Sequence, residues 1–561
     1  MAHDPLAFFT LDRGSASTAA ALIAQVEGRF RLLAHAAQPA GLPVDPLLAR
    51  LAGDVGMAEP GLLPVEGGET SPWTDWPRLE VATRPPRSAL LAAATERRLA
   101  ELEQVVSGAG WAVAGRISPD RTDALEATAL ALGKGLDLLI VGAAGRPTGE
   151  ERRALPDLAA LLQAVLERRR DLPCLLTGAA AEAIEGWPAA RIVLGPAPAR
   201  TASLAPDPLR SLLRRAAGEL ARQAGQRPPH VASGRAGAER APAGPADGRA
   251  AFTAAIASLA AVLGQRIDAV DVGAAAGQRV LATPEGLRGQ LELVDAALVP
   301  EAVLEDDRLA DAILAWSTLR GDTFVLRDRV RNLRLWPWRD AAGEGARLRL
   351  AAARAALVRL DTAWRLADGG GGNAAADAPA DLLVASGGAF AVAPAPAIAL
   401  ALLDTLRRPG GMALAYDHAR VLAPLGSLDD EGDRRRLLTD LLDDILVPLG
   451  SAVLATGLRA SRHPGTLRVR SHGQALEVEL VPGAIQVVDL PPGQTGTVEL
   501  EARDGTWLGM RAKRVAVEVG GGLGGLLVDT RELPLRLPER PERRRDLLAA
   551  WERPLWQEDA E

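Results

Sequence analysis

The stretch that decides the fold lies near the start of the chain: "LDRGSASTAAAL", residues 11–22. An apolar run ends in Asp12-Arg13-Gly14, small hydroxylated residues follow, and a second apolar run begins. This pattern predicts a strand, a tight turn and a second strand. Such a turn can bind phosphate, because glycine allows close backbone approach and successive N–H groups can converge on an anion. A carboxylate at its start can hold magnesium through water.

A second stretch in the middle of the chain has the same organisation. In "IDAVDVGAAAGQRVLAT", residues 267–283, an apolar strand again ends in Asp-x-Gly, here Asp271 and Gly273. Small residues then lead into another apolar run. We therefore predict that the hairpins at residues 6–37 and 267–283 face each other across a cleft, with Asp12 and Asp271 at one shared site.

A third glycine turn, Ser386-Gly387-Gly388, follows a strand in "DLLVASGGAFAV", residues 381–392. Two strand–Asp-x-Gly–strand hairpins and a later Ser-Gly-Gly turn before a helix resemble the actin and sugar-kinase ATPase superfamily. There the hairpins grip the phosphates and the third turn holds the adenosine. The resemblance implies an α/β fold of two duplicated actin-like (ribonuclease H-like) domains around a cleft, with a small antiparallel β domain at the C-terminal end.

At family level the chain resembles MutL, the accessory protein of glutamate mutase operons, which is unrelated to the mismatch-repair protein of that name. The resemblance covers about residues 5–450 and rests on "DRGSAST", "DVGAAAG", "LVASGGAFAVAPAPAIALALLD" and "VLAPLGSL". It implies assistance to, or reactivation of, an adenosylcobalamin-dependent mutase. The resemblance also implies a degenerate nucleotide site formed by Asp12, Gly14, Ser15, Ser17, Thr18, Asp271, Gly273, Ser386, Gly387 and Gly388.

Both phosphate loops depart from the family pattern. Members typically carry DIGSTTTK at the first loop, and the lysine position here is Ala19. The second loop is typically DVGGATTD, and its later positions here are Ala274, Ala276, Gly277 and Gln278. Transfer of a γ-phosphate needs positioned polar groups and a cation. The resemblance therefore implies the fold rather than the ATPase chemistry, and we predict no useful rate of ATP hydrolysis.

Two functional hypotheses follow. The favoured one is a non-catalytic scaffold that contacts a protein partner, for which the resemblance suggests a cobalamin-dependent mutase. The alternative is an active ATP-dependent chaperone that opens the mutase to exchange damaged cofactor, and a sugar or acyl kinase is a distant third. We expect no catalytic residue and no firmly bound cofactor. Backbone N–H groups around Gly14 and Gly273 leave weak binding of ADP or ATP with magnesium open.

The composition excludes several other classes of protein. The chain has 561 residues and a net charge of −7, which argues against binding to nucleic acid or an anionic membrane. Its single cysteine, Cys174, excludes an intramolecular disulfide, and its six scattered histidines form no metal-binding motif. No apolar run reaches the length of a membrane span and no signal peptide begins the chain. These features predict a cytoplasmic protein.

Shifts in composition divide the chain into segments. The predicted segments are a first actin-like half at 1–223 with an inserted α/β subdomain at 88–222, a flexible linker at 224–250, a second half at 251–455 with a mobile loop at 367–381, a small β domain at 456–540, and a C-terminal helix at 541–561. We expect residues 465–537 to fold as a β domain separate from the core, with the last helix packed on a neighbouring surface. The GxGxxG pattern at residues 520–525 precedes a strand-like run, which predicts a β-turn rather than a dinucleotide site.

The stretch "RDRVRNLRLWPWRD", residues 327–340, interleaves arginine and tryptophan. Such a pattern can bind single-stranded nucleic acid. Because the chain is acidic, we favour a helix whose arginines are solvated and whose Trp336 and Trp338 anchor the core.

Overall fold

The structure is a computed structural model in which seventeen ranges of the chain are described. These ranges are 7–56, 76–83, 87–133, 135–169, 171–180, 192–197, 208–209, 212–213, 215–216, 245–337, 343–367, 380–391, 393–458, 465–502, 506–507, 510–511 and 514–555. Within them, the strands form sheets of five, eight, four, two and five strands. Two of these sheets repeat one strand order and build the site.

The first of these two sheets starts from the N-terminal hairpin. Its strands are β1 (Ala7–Arg13), β2 (Ser17–Val26), β3 (Arg29–Pro39), β4 (Arg78–Ala82) and β10 (Ala246–Asp247). They are arranged in the order β3-β2-β1-β4-β10, with β1, β2 and β3 antiparallel and with β4 and β10 parallel to β1. Helix α1 (Asp45–Asp54) packs Leu48 and Leu51 against Phe9 and Leu11 of this sheet.

The segment between β4 and β10 forms a parallel sheet of its own. Its elements are β5 (Ser88–Ala93), α2 (Glu96–Ser107), β6 (Ala112–Ile117), α3 (Ala124–Ala131), β7 (Leu138–Gly142), α4 (Gly149–Arg168), β8 (Cys174–Thr177) and β9 (Ile192–Gly195). The strand order is β6-β5-β7-β8-β9. Each helix begins after a side-chain cap, at Thr95, Asp123 and Thr148. The strands are short apolar runs, as expected where helices cover both faces of a parallel sheet.

The second half repeats the strand order of the first. Its strands are β11 (Ile267–Val272), β12 (Gly277–Thr283), β13 (Gly286–Leu293), β14 (Leu382–Ser386) and β15 (Gly410–Asp417). They are arranged as β13-β12-β11-β14-β15, again with an antiparallel hairpin followed by two parallel neighbours. One order with the same strand directions in both halves is the duplicated ribonuclease H-like arrangement. The predicted α/β fold class is therefore confirmed.

Helices of the second half connect the two sheets. They are α5 (Gly248–Leu263), α6 (Asp307–Leu314), α7 (Thr323–Leu335), α8 (Gly343–Ala367), α9 (Ala395–Thr405), α10 (Leu422–Gly426) and α11 (Glu431–Ile445), with 3-10 turns at Val294–Ala296, Glu301–Leu304 and Gly388–Phe390. Helix α5 buries Phe252 and Ile256 in one core cluster with Phe8 of the first sheet and Val280 of the second. The two halves therefore share a hydrophobic core at the base of the cleft.

The C-terminal strands divide between two sheets. The elements are β16 (Leu446–Leu454), β17 (Gly465–Ser471), β18 (Gln474–Glu479), β19 (Ile485–Val488), β20 (Thr495–Ala502), β21 (Thr506–Trp507), β22 (Met510–Arg511), β23 (Arg514–Gly520), β24 (Leu526–Asp529) and α12 (Pro541–Glu552). Strands β17, β18, β20 and β23 form the predicted small antiparallel sheet. Strands β16, β24 and β19 instead extend the second-half sheet to eight strands.

The predicted boundary of the β domain at 456–540 does not coincide with the boundary between the two sheets, and separate folding of residues 465–537 stays a prediction. Strand β24 pairs with β16 of the core, and Leu526 and Val528 are fully buried together with Val453 and Val498 in one cluster. Strand β16, which precedes the small sheet in the chain, and strand β24, which follows it, are neighbours in the eight-stranded sheet. The GxGxxG turn leads from β23 into strand β24 rather than into a helix, as predicted.

Three other expectations are changed or lie outside the described residues. The predicted linker at 224–250 ends too late, because residues 246–247 pair with β4 and helix α5 starts at residue 248. Residues 224–244, most of the loop at 367–381, and residues 556–561 lie outside the described ranges. Helix α7 confirms a helix in the arginine-rich stretch, but Trp336 is about half exposed rather than in the core, and Trp338 is not described. A search of the described helices finds none that is long and apolar enough to cross a membrane.

Candidate functional site: a cleft closed by an arginine

The three glycine turns meet at one cleft between the two halves. Its cavity has a volume of about 70 Å³. Nine of the ten predicted site residues border it: Asp12, Gly14, Ser15, Ser17, Asp271, Gly273, Ser386, Gly387 and Gly388. The tenth, Thr18, is buried in β2 beside Arg13 and Gln38. Their role in binding a nucleotide remains a prediction.

The first loop is a tight turn between β1 and β2. The Gly14 N–H donates to the Ser17 carbonyl oxygen at 2.9 Å. A Cβ atom at Gly14 would lie 2.9 Å from that same oxygen, so the turn needs glycine for close backbone approach. The loop therefore has the form that the sequence predicts for a phosphate-binding turn.

Arg420, a residue that sequence analysis did not single out, binds this first loop. It follows β15 of the second half and has a positive φ of 54°. Its Nε lies 3.0 Å from the Asp12 carboxylate, and one terminal nitrogen donates to Ser17 Oγ at 2.8 Å. The other terminal nitrogen donates to the backbone oxygens of Asp12 and Ser17 at 3.1 and 3.2 Å. One guanidinium thus joins the two halves across the cleft.

The third turn packs tightly on the second loop. Gly387 has a φ of 98°, and a Cβ atom there would overlap the Asp271 carboxylate and the Val272 carbonyl oxygen. Its neighbour Ser386 donates to the fully buried Asp417 at 3.0 Å. Asp417 also accepts from the Val421 N–H at 2.9 Å. The buried Asp417 therefore fixes the turn at Ser386, while the turn still borders the cleft.

The second loop carries no hydroxyl or carboxylate side chain between residues 274 and 278. Gln278 donates to the Arg249 carbonyl oxygen at 3.0 Å and to Thr253 Oγ1 at 2.7 Å. Gly277 is needed for packing, because a Cβ atom would lie 2.7 Å from the Ala296 carbonyl oxygen. This explains in steric terms why no larger residue stands at that position.

Burial raises the pKa values of all three cleft carboxyls. Burial and the nearby charge of Asp12 raise the pKa of Asp271 to about 7, while Arg420 lowers it. Burial raises the pKa of Asp417 to about 6, against the hydrogen bond from Val421. The pKa of Asp12 is also raised, because burial outweighs the attraction of Arg420. Among the described residues, no group of three or more His, Cys, Asp or Glu side chains is arranged to hold a metal ion.

Comparisons with known proteins give only remote similarities. No family model matches the chain, and no curated protein matches it. A Ppx/GppA family protein of Aquifex aeolicus is similar at 8% identity and a TM-score of 0.20, over 79% of this chain and 93% of that chain. The PilM–PilN type IV pilus biogenesis complex is similar at 14% identity and a TM-score of 0.26, over 76% of this chain and 98% of that chain. Nucleotide-free acetone carboxylase is similar at 13% identity and a TM-score of 0.25, over 84% of this chain and 80% of that chain. The assignment to the actin-like fold rests on the repeated strand order, not on these scores.

Arg420, Asp417 and Arg349, all of which border the cleft, were missed by sequence analysis. For Asp417 a signal was present, because "ALAYD" is an apolar strand ending in a carboxylate, as in both phosphate loops. No local signal points to Arg420, whose partners lie more than 400 positions earlier in the chain.

Proposed function

We propose that this chain is a non-catalytic protein of the actin-like fold that holds a protein partner without a nucleotide cycle. The observation that carries the proposal is the position of Arg420. Its side chain ties the second half to Asp12 and Ser17 of the first, where the superfamily resemblance locates the nucleotide phosphates. An internal cation thus closes the cleft that a nucleotide closes in an active ATPase.

A magnesium nucleotide would have to compete with this ion pair. The Asp12 carboxylate would leave Arg420 in order to hold a magnesium-bound water, and Ser17 would exchange the guanidinium for a phosphate. Breaking a buried ion pair by removing one partner destabilises a protein by about 3–5 kcal/mol. The second loop provides only Ala274 and Ala276 at the facing positions, so no side chain there offsets this loss.

The position of the guanidinium supports the same proposal, because Arg420 already occupies the polar atoms of Asp12 and Ser17 that border the cleft. The residues present do not fit a bound magnesium nucleotide while Arg420 keeps its contacts.

The test is a calorimetric titration of ADP and ATP with magnesium, together with a phosphate-release assay. The double variant Asp12→Ala, Asp271→Ala is the blank for hydrolysis. We expect no turnover above this blank and no nucleotide binding in the micromolar range. Turnover above the blank would contradict the proposal and favour the ATP-dependent chaperone.

The proposed partner, suggested by the family resemblance, is a cobalamin-dependent mutase. An immobilised sample of the full chain is incubated with such a purified mutase, with and without magnesium ATP. We expect equal retention in both conditions, because the cleft is closed by Arg420 rather than by a nucleotide. Retention that depends on ATP would support the chaperone instead, and no retention would exclude this partner.

A further inference from the structure

One buried arginine at the cleft has no carboxylate partner. Seven arginine side chains in the described part of the chain are buried. Six of them form ion pairs with carboxylates: Arg98, Arg279, Arg354, Arg407, Arg420 and Arg531. The seventh, Arg349, extends from α8 to the wall of the cleft, is 7% exposed and pairs with none. A buried charge without a counter-charge is strongly unfavourable, so a ligand that supplies one would bind favourably.

The hydrogen bonds of Arg349 leave it able to bind an anion. One terminal nitrogen donates to the Pro337 carbonyl oxygen and the other to the Gly388 carbonyl oxygen at 3.2 Å. Its Nε has no partner in the described chain. A guanidinium has five N–H donors, so three of them find no acceptor among the residues that the structure describes. Burial lowers the pKa of Arg349, and no carboxylate offsets that effect.

The second loop supplies further donors on the same cavity. Ala274, Ala275 and Ala276 border the cavity, and their backbone N–H groups donate no hydrogen bond within the described residues. The turn itself is fixed by the Gly273 N–H, which donates to the Ala276 carbonyl oxygen at 3.0 Å. Successive backbone N–H groups in a turn form an anion-binding concavity. The loss of side-chain hydroxyls in this loop leaves these backbone donors in place.

We propose that the cleft binds a small free oxyanion, of the size of inorganic phosphate or a short carboxylate, between Arg349 and the backbone of Ala274–Ala276. This inference rests on the proposed function, because it requires a cleft that Arg420 holds closed and that no nucleotide occupies. An oxyanion of this size supplies the charge that Arg349 lacks. A bound anion would also connect α8 with the second loop and so stabilise the scaffold.

The test is calorimetric titration of the full-length protein with inorganic phosphate, sulfate and acetate. We expect binding in the millimolar range or tighter, and at least about a tenfold loss of affinity in Arg349→Gln. Arg359→Gln is the matched control on the same helix, because within the described residues Arg359 donates to the carbonyl oxygens of Asp295 and Ala297, which do not border the cleft. Binding of phosphate and sulfate but not of acetate would identify the ligand as a tetrahedral anion. Binding of acetate alone would identify it as a carboxylate.

A second variant keeps the test valid where Arg349→Gln does not fold. Ala275→Glu places a carboxylate on the wall of the same cavity that Arg349 borders. We expect this variant to lose anion binding and the rise in melting temperature that phosphate gives the wild type. Absence of binding of all three anions to the wild type, or unchanged binding in Arg349→Gln or Ala275→Glu, would overturn the inference. If the protein binds ADP as well as phosphate, only the proposed function is contradicted. If it binds neither ADP nor phosphate, only this inference is contradicted.

Discussion

At the scale of single residues, Asp271 links the cleft to pH. Burial, first of all, and the charges of Asp12 and Asp417 raise its pKa, whereas Arg420 and Arg249 lower it, and the balance moves the pKa from an ordinary 3.8 to about 7. Between these values the folded protein binds one more proton than the unfolded chain. The free energy of unfolding therefore falls as the pH rises through this window.

The first prediction is that Asp271→Asn removes this pH dependence. One pKa unit corresponds to about 1.4 kcal/mol, so the stability of the variant relative to wild type should rise by about 4 kcal/mol from pH 4 to pH 8. Urea denaturation across this range measures the change. Asp429→Asn, on the exposed surface, is the control and should follow the wild type. Parallel curves for Asp271→Asn and the wild type would show that Asp271 titrates normally.

The second prediction concerns Gly387, whose positive φ and close contacts are separable effects. We expect Gly387→Ala to be destabilised beyond the roughly 1–3 kcal/mol that its backbone conformation, with φ 98° and ψ 159°, costs an alanine, because the added Cβ also overlaps the Asp271 carboxylate. Gly28→Ala is the matched control, with a φ of 82° and no atom within 4 Å of the added Cβ. Denaturant unfolding compares the two. Equal losses would show that the third turn does not depend on close approach.

At the scale of elements, a buried ion-pair network ties the C-terminal helix to the core. Arg354 of α8 binds Glu552 of α12, and its Nε lies 2.8 Å from Asp404 of α9. Arg531 binds the same Asp404 and lies 2.8 Å from Asp529 of β24. All of these side chains are buried, so each charge depends on its partner.

The third prediction is that Glu552→Gln destabilises the whole core by about 3–5 kcal/mol, because it leaves part of the charge of Arg354 uncompensated. Glu542→Gln, in the exposed first turn of the same helix, should change stability by less than about 0.5 kcal/mol. Equilibrium unfolding followed by circular dichroism distinguishes them. A separate early transition in Glu552→Gln, with the core unaffected, would show that α12 is an independent unit.

The elements themselves were largely predictable, whereas their sheet membership was not. The hairpins at both Asp-x-Gly loops follow from apolar runs that these residues interrupt, and both hairpins occur as predicted. The sequence alone predicts β24 as one more strand of the small sheet, but in the structure β24 pairs with β16 of the core. Its continuous apolar run was the available sign of a strand buried on both faces. Pairing between distant strands depends on the register and twist of the whole sheet, which local patterns do not encode.

At the scale of the whole molecule, two arginines join the halves in different settings. Arg420 is buried and binds Asp12 and Ser17 in the cleft. Arg31 of β3 is exposed and binds Asp444 of α11 at 2.6 Å on the outer surface. The two contacts are alike in chemistry and differ in burial and in location. They form a natural pair for testing what keeps the cleft closed.

The fourth prediction is that Arg420→Met opens the cleft and Arg31→Met does not. Removing the buried guanidinium leaves the Asp12 carboxylate without its partner in an enclosed site, and hydration of that carboxylate favours an open arrangement. An exposed pair contributes about 0–1 kcal/mol, so losing Arg31 should leave the halves in place.

Hydrogen exchange of the backbone amides at residues 12–18 and 271–278 measures the opening, with small-angle scattering as a second readout. We expect faster exchange in both loops and a larger radius of gyration for Arg420→Met only. Magnesium ATP should not reverse either change, because the second loop still lacks side-chain donors for a phosphate. Recompaction of Arg420→Met by ATP would mean that the arginine displaces a nucleotide that the cleft can still bind, and the chain would then be a regulated ATPase rather than a scaffold.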